Sequence, residues 1–156
     1  MELVTDTFGR RLTEHICHAK HSITLSFFTA VPPKQRHSRA FKEIWALLST
    51  AAMSGVKVKL LYNNPSSTTR FDNFIREQIK TLRTLPFPTR FFSSPRTLHA
   101  KFAVFDLEFC YVGSHNLTAY ALHKNIEVGL FFRDPRTALK LTTLFNQLWE
   151  ESHAGL

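Results

Sequence analysis

A chain of 156 residues, 44% of them hydrophobic, can build one sizeable core, and its length points to a single domain over residues 1–156. Its 20 Lys and Arg against 12 Asp and Glu leave a net charge of +8, which favours a polyanionic partner, nucleic acid first and an anionic membrane second. No apolar run approaches a membrane span, and Met1 to Asp6 lack the apolar stretch of a secretory signal. Only Cys17 and Cys110 are present, so no disulfide framework is expected, and the expected setting is the cytoplasm, with no stable membrane association.

Helical spacing of Phe8, Leu12, Ile16 and Ala19 predicts a first helix over residues 6–20, capped by Asp6. His15, Cys17, His18 and His21 crowd its end. Cys17 points away from the face shared by His15 and His18, so these read as surface or helix-end residues, not a metal site. Residues 22–30 read as a buried strand. The loop 31–39 carries Lys34, Arg36 and Arg39, expected to contact a phosphate backbone.

A second helix is predicted over 38–54, with Phe41, Ile44, Trp45, Leu48 and Ala52 inward and Gly55 as its terminator. A strand over 56–62 and a loop over 63–67 follow. The third helix is predicted over 69–85, with Phe71, Phe74, Ile75, Ile79 and Leu82 inward and Arg70, Arg76, Lys80 and Arg83 outward. Pro86 and Pro88 break it before a short strand, 89–92, whose Phe91 and Phe92 read as core.

Residues 98–106 read as a strand. Two-residue alternation puts His99 and Lys101 on one face, roughly 6–7 Å apart. A hairpin over Leu107 and Glu108 leads to a strand at 109–112, a helical turn at 117–122 and a strand at 126–132. Pro135 opens a terminal helix with Leu139, Leu141, Leu144, Phe145, Leu148 and Trp149 as its apolar positions. Three alternating helices and strands followed by a strand cluster predict an α/β domain, a mixed sheet between helical layers.

The residues around the motif strand have a chemical reading. His99 can attack a phosphorus while Lys101, Ser114 and Asn116 hold the phosphate oxygens. Glu127 opens the next strand, where it can take the second ring N–H of His99. Asp106 ends the motif strand and is the candidate for orienting neighbours or pairing with a cation. His115 and His123 stand outside this set and read as local or rim residues.

His-x-Lys-x4-Asp (His99, Lys101, Asp106), then Gly-Ser-x-Asn (Gly113, Ser114, Asn116), then Glu127, resembles the signature of the phospholipase D superfamily, in particular its small endonuclease-like members. The resemblance implies an α/β/α sandwich and metal-independent hydrolysis of a phosphodiester through a phosphohistidine. It implies catalytic roles for His99, Lys101, Asp106, Ser114, Asn116 and Glu127, and no cofactor or metal. The mechanism needs a second histidine as general acid, yet the motif occurs once: His18-Ala19-Lys20 begins another, but residue 25 is Leu. A homodimer joining two copies of His99 is therefore expected, acting on DNA or RNA. The alternatives are a phospholipase D-type enzyme on anionic phospholipid and a non-catalytic nucleic-acid-binding module.

Overall fold

The computed structural model describes residues 1–63, 72–92 and 94–154. Within them the chain runs β1 (Glu2–Val4), α1 (Phe8–His18), β2 (Ser22–Phe27), α2 (Arg39–Met53), β3 (Lys57–Asn63), α3 (Asp72–Leu82), β4 (Thr89–Phe92) and β5 (Phe102–Phe105). It continues through β6 (Phe109–Gly113), α4 (Ala119–His123), β7 (Gly129–Arg133), α5 (Pro135–Glu150) and β8 (His153–Ala154).

The strands form one sheet in the order β1-β7-β6-β5-β2-β3-β4-β8. β2, β3 and β4 are parallel, and every other neighbouring pair is antiparallel. β2 lies at the junction, with Leu25 opposite Leu60 on one side and Ala103 on the other.

Both faces of the central strands are covered. On one, Phe8, Leu12 and Ile16 of α1 and Phe41, Ile44, Trp45 and Leu48 of α2 pack on Ile23, Leu25, Phe27, Leu60 and Phe105. On the other, Ala138, Phe145 and Trp149 of α5 pack on Leu61, Phe92, Phe102, Val104 and Cys110. Each such fully buried Leu, Ile or Phe contributes roughly 1.5–3 kcal/mol. The result is the expected α/β/α sandwich with a mixed sheet. Phe91 and Phe92 are both core, one in each layer, because adjacent strand residues face opposite ways.

Several details differ from the sequence expectation. β1 and β8 have no counterpart in the sequence expectation; strands of three and two residues carry too little alternation to register, and their pairing partners make them. Asp6 does not cap α1: its carboxylate takes the Thr5 hydroxyl, and Thr7 is the cap residue, without a side-chain bond. His15 lies in the last turn of α1, as expected of a helix-end residue, but is half-buried, its ring packed beside Phe105, Phe109 and Phe131, 4.8 Å from the last. In α5, Leu139 and Leu144 are exposed, and Ala138 takes the sheet-facing position with Phe145 and Trp149. The loop expected at 64–67, the start of the third helix at 69–71, and the side-chain placements expected for Arg70, Phe71, Phe74, Ile75 and Arg76 lie outside the described residues.

The β5–β6 hairpin turns on Asp106 and Leu107, one residue earlier than expected. Both have positive φ, 53° and 57°, and the Glu108 N–H bonds the Phe105 carbonyl at 3.0 Å. Positive φ at both central residues of the Phe105–Glu108 turn is the type I′ pattern, whose twist matches the strands it joins, within a three-residue connection over 106–108. Asp tolerates this region; Leu is strained there. Leu107 is exposed, so Leu107→Gly should relieve the strain without touching the core. The expected outcome is a gain of about 0.5–1 kcal/mol, read as a higher urea midpoint.

Candidate functional site

The switch from parallel to antiparallel pairing at β2 brings separate segments to one edge of the sheet. There β2 and β3 end at Phe27 and Asn63, β6 ends at Gly113, and β5 and β7 begin at Phe102 and Gly129. Crevices outside the carboxyl ends of parallel strands are where α/β sheets bind ligands. Converging on this edge are Phe28 and Thr29, His99 to Lys101, Ser114 to Asn116, and Glu127.

His99 and Lys101 precede β5 instead of lying within it. The segment is held by less regular bonds: Asn63 Oδ1 accepts the Leu98 N–H at 3.0 Å, Ser26 Oγ donates to the Ala100 carbonyl at 3.3 Å, and the Gly113 N–H reaches the Lys101 carbonyl at 3.2 Å. The Lys101 ammonium donates to the His99 carbonyl at 2.9 Å and sits 3.4 Å from both ring nitrogens. The Phe28 ring packs against both, 4.9 Å from the imidazole centroid and 5.6 Å from the ammonium. His99 is exposed while Lys101 is buried. An open imidazole thus stands over a cation of restricted solvation, able to attack an electrophile whose developing negative charge the ammonium would meet.

Asn116 is half-buried and fixed by its Oδ1, which accepts the Thr29 N–H at 3.0 Å, so its amide hydrogens are the donors it can offer a ligand. Ser114 is engaged with Glu127: its hydroxyl donates to the carboxylate and accepts the Val128 N–H at 3.0 Å. The other Glu127 oxygen accepts the Asn125 amide at 3.0 Å. Glu127 precedes β7 and bonds Ser114 and Asn125, so the expected direct bond to His99 is not among its contacts within one chain. It acts on the site through its charge. Burial depresses the Lys101 ammonium below the ordinary lysine range, and the Glu127 carboxylate works in the opposite direction.

Asp106 is not brought to this edge. It lies at the far end of β5, roughly 20 Å away by strand rise. Its carboxylate accepts the N–H groups of Lys20, His21 and Ser22, each at 2.8 Å. Burial raises its pKa, but those three N–H bonds and the His21 charge outweigh that and hold it below the ordinary value. It is a fastener between the α1–β2 connection and the hairpin, at the end opposite His99.

The remaining sequence-predicted residues divide. Lys34 and Arg36 line a cavity of about 320 Å³ whose wall includes Asn116, whereas Arg39 opens α2, exposed and outside that wall. His115, expected to be local or at the rim, is fully buried beneath the Gly-Ser-x-Asn turn, stacked on Phe8 at 4.1 Å. Its Nε2 donates to the Thr5 carbonyl at 2.9 Å, which fixes the tautomer, and its Nδ1 accepts the Tyr111 hydroxyl at 2.7 Å. Gly113 and Gly129 are opposed across β6 and β7 because Tyr111 lies against them; a Cβ at Gly113 would meet Gly129 Cα at 2.6 Å. His123 bonds Ser38 Oγ at 2.7 Å.

Sequence reasoning missed Phe28, Thr29 and Asn63. Their signal is positional, since each stands at or just past the carboxyl end of a parallel strand. Among the described residues, no group of three or more His, Cys, Asp or Glu could hold a metal ion, and no helix is long and apolar enough to cross a membrane.

Fold and site together define an α/β/α domain with a histidine–lysine pair at the switch edge of its sheet. The chain belongs to the phospholipase D superfamily: the family described as "Cardiolipin synthase, PLD-like domain" matches residues 12–149. Among solved structures it is similar to Nuc from Salmonella typhimurium, a phospholipase D family member (TM-score 0.78, 21% identity, 97% of this chain and 95% of that one). It is also similar to NucT from Helicobacter pylori (TM-score 0.74, 18% identity, 99% and 98%). Phosphatidylserine synthase from Haemophilus influenzae Rd KW20 shares the fold over 94% of this chain and 36% of its own (TM-score 0.73, 12% identity). TrmBL2, an archaeal chromatin protein, does so over 98% and 53% (TM-score 0.61, 17% identity). No curated protein sequence matches the chain.

Two outcomes follow from the site's electrostatics. Because the Asp106 pKa is lowered on folding, its contribution is present above the ordinary value of 3.8 and fades as pH falls through the folded value. Asp106→Asn should cost about 1–3 kcal/mol at neutral pH, with the gap from wild type closing below pH 3.8 in urea melts. Glu127→Gln removes the charge that supports the Lys101 ammonium. The Lys101 titration, followed by NMR of the labelled side chain, should move further down; an unchanged titration would show that Glu127 does not act on Lys101.

Proposed function

We propose that this chain is a metal-independent phosphodiesterase that hydrolyses nucleic acid, with His99 as nucleophile. The observation that carries the reading is the exposed His99 imidazole 3.4 Å from the buried Lys101 ammonium, at the sheet edge where Asn116 presents its amide. A neutral His99 nitrogen attacks phosphorus as the P–O bond to the leaving group breaks, and Lys101 and Asn116 meet the charge on the phosphoryl oxygens. Water then attacks the phosphohistidine, giving a proton to the imidazole that protonated the leaving oxygen, and the P–N bond breaks to free His99. Ser114 is read as the holder of Glu127, and Asp106 as structural support.

The leaving oxygen needs a proton, and we assign its donor to His99 of a second copy. Support comes from the single occurrence of the motif and from exposed apolar side chains around the site: Val112 beside Gly113, and Ile126 and Val128 on either side of Glu127. One imidazole must be neutral and the other protonated, which gives a bell-shaped pH profile. The net charge of +8 suits a nucleic-acid substrate, as do the neighbours Nuc and NucT, and the cytoplasm is the compartment we assign.

A second reading, phospholipid cleavage or transfer, is favoured by the family description and by the phosphatidylserine synthase neighbour. A third, nucleic-acid binding without turnover, is favoured by the DNA-binding chromatin protein. Cleavage of labelled single-stranded DNA, duplex DNA and RNA in EDTA, with wild type beside His99→Ala, separates them. Cleavage that survives chelation and falls at least about a thousandfold in the variant is expected. Binding without cleavage favours the third reading, and turnover only on anionic vesicles the second.

A further inference from the structure

We infer that the cleft beside Asn116 is a subsite for an unstacked nucleotide, with Tyr120 as its stacking platform, and therefore that the substrate is single-stranded nucleic acid. The inference rests on the phosphodiesterase reading above and names the form of polymer that site accepts.

Position comes first. The cleft of about 320 Å³ is walled by Thr29, Val31, Asn116 and Tyr120, with Lys34 and Arg36 also on its lining. Thr29 holds Asn116, while its neighbour Phe28 packs its ring on His99. Adjacent residues, Phe28 and Thr29, therefore serve His99 and this cleft, so a polymer with its phosphate at His99 would continue toward it.

The lining matches one ligand chemistry. Arg36 is an exposed cation placed for a neighbouring phosphate. The local field is positive: the His37 imidazole is held below its ordinary pKa by burial, then by the Arg36, Lys34 and Lys42 charges. His37 itself serves as a brace, its Nδ1 accepting the Lys34 N–H at 3.0 Å.

Tyr120 supplies the aromatic element. It is 64% exposed on α4, and the Lys124 ammonium stands 5.3 Å from its ring centroid. Lys124 covers one side of the ring, so a base would stack on the opposite side; an exposed aromatic ring in the lining of a basic cleft is what binds bases of a single strand, because every base has a π-face. In a duplex those faces are already stacked on one another and cannot reach the ring without unpairing. The volume lies at the low end for small-ligand pockets, room for one nucleotide of a strand. A glycerophosphate headgroup would use the cations and leave the ring uncovered.

The test uses a single-stranded 12-mer containing 2-aminopurine, bound by the His99→Ala protein with and without a second change at Tyr120. We expect 2-aminopurine quenching on binding, retained in Tyr120→Phe and lost in Tyr120→Leu, which fills similar space without a π-face. Affinity should fall about tenfold in Tyr120→Leu. In the cleavage-competent protein the same substitution should raise KM for the single strand more than it lowers kcat. Arg36→Ala should reduce the slope of log affinity against log salt by about 1.

Equal affinity and quenching in Tyr120→Phe and Tyr120→Leu would overturn the inference. So would wild-type duplex cleavage at least as efficient as single-strand cleavage, or binding to anionic phosphatidylglycerol vesicles in place of the oligonucleotide. Wild-type turnover of bis(4-nitrophenyl) phosphate reports the phosphodiesterase reading separately. If it proceeds while Tyr120 proves irrelevant, only the subsite fails; if it is absent, the catalytic reading fails while the binding arm still decides the cleft.

Discussion

Strand β2 must satisfy backbone hydrogen bonds along both edges and bury side chains on both faces, and the rest of the molecule is arranged around that demand. Its parallel partner β3 and antiparallel partner β5 meet the first requirement, and α1 and α2 on one side with α5 on the other meet the second. Because one partner is parallel and the other antiparallel, β2 and β3 end where β5 begins. A sheet of uniform direction could not set the start of β5 beside those carboxyl ends. His99 and Lys101 sit on that seam, just before their strand starts; from strands that are finishing, Phe28 packs on both and Asn63 holds the preceding Leu98.

The same seam separates two kinds of charge. Lys101 is buried, which works against its proton, and its partners are the His99 carbonyl and, at longer range, the Glu127 carboxylate. Asp106 carries its charge at the other end of β5, satisfied by three backbone N–H groups and set in a left-handed turn. His-x-Lys-x4-Asp, one motif in sequence, is thus two devices in space. The first two residues face the open edge, and the third ties the hairpin to the α1–β2 connection. A strand of this length cannot bring positions 99 and 106 together.

Beneath the Gly-Ser-x-Asn turn, a buried polar chain runs from Tyr111 through His115 to the Thr5 carbonyl. It is fully satisfied, so it rigidifies the turn instead of destabilising the core. It also connects the turn to residues just after β1, a strand that exists only because β7 offers it an edge. Gly113 and Gly129 leave the space that Tyr111 needs. Ser114 and Asn116 are in this way aimed from below by residues that never reach the surface.

The sequence by itself determined whatever depends on local periodicity. The stripes of α1 and α2, the alternation that opens β3, the Gly55 stop at φ 95°, the Pro135 start and the layered α/β class all follow from spacing that neighbouring residues can satisfy among themselves. It also determined the composition of the motif, and with it the chemistry that His99 and Lys101 can offer. Only the tertiary structure decided what depends on partners distant in the chain. Those decisions include the two edge strands, the burial of His115 under a turn, the engagement of Glu127 with Ser114, and the placement of Asp106 away from His99. They also include the meeting of Asn116, Arg36 and Tyr120 around one cleft. The physical reason is that a backbone N–H or a carboxylate takes whichever partner the packed core brings within about 3 Å, and sequence spacing carries no record of that choice.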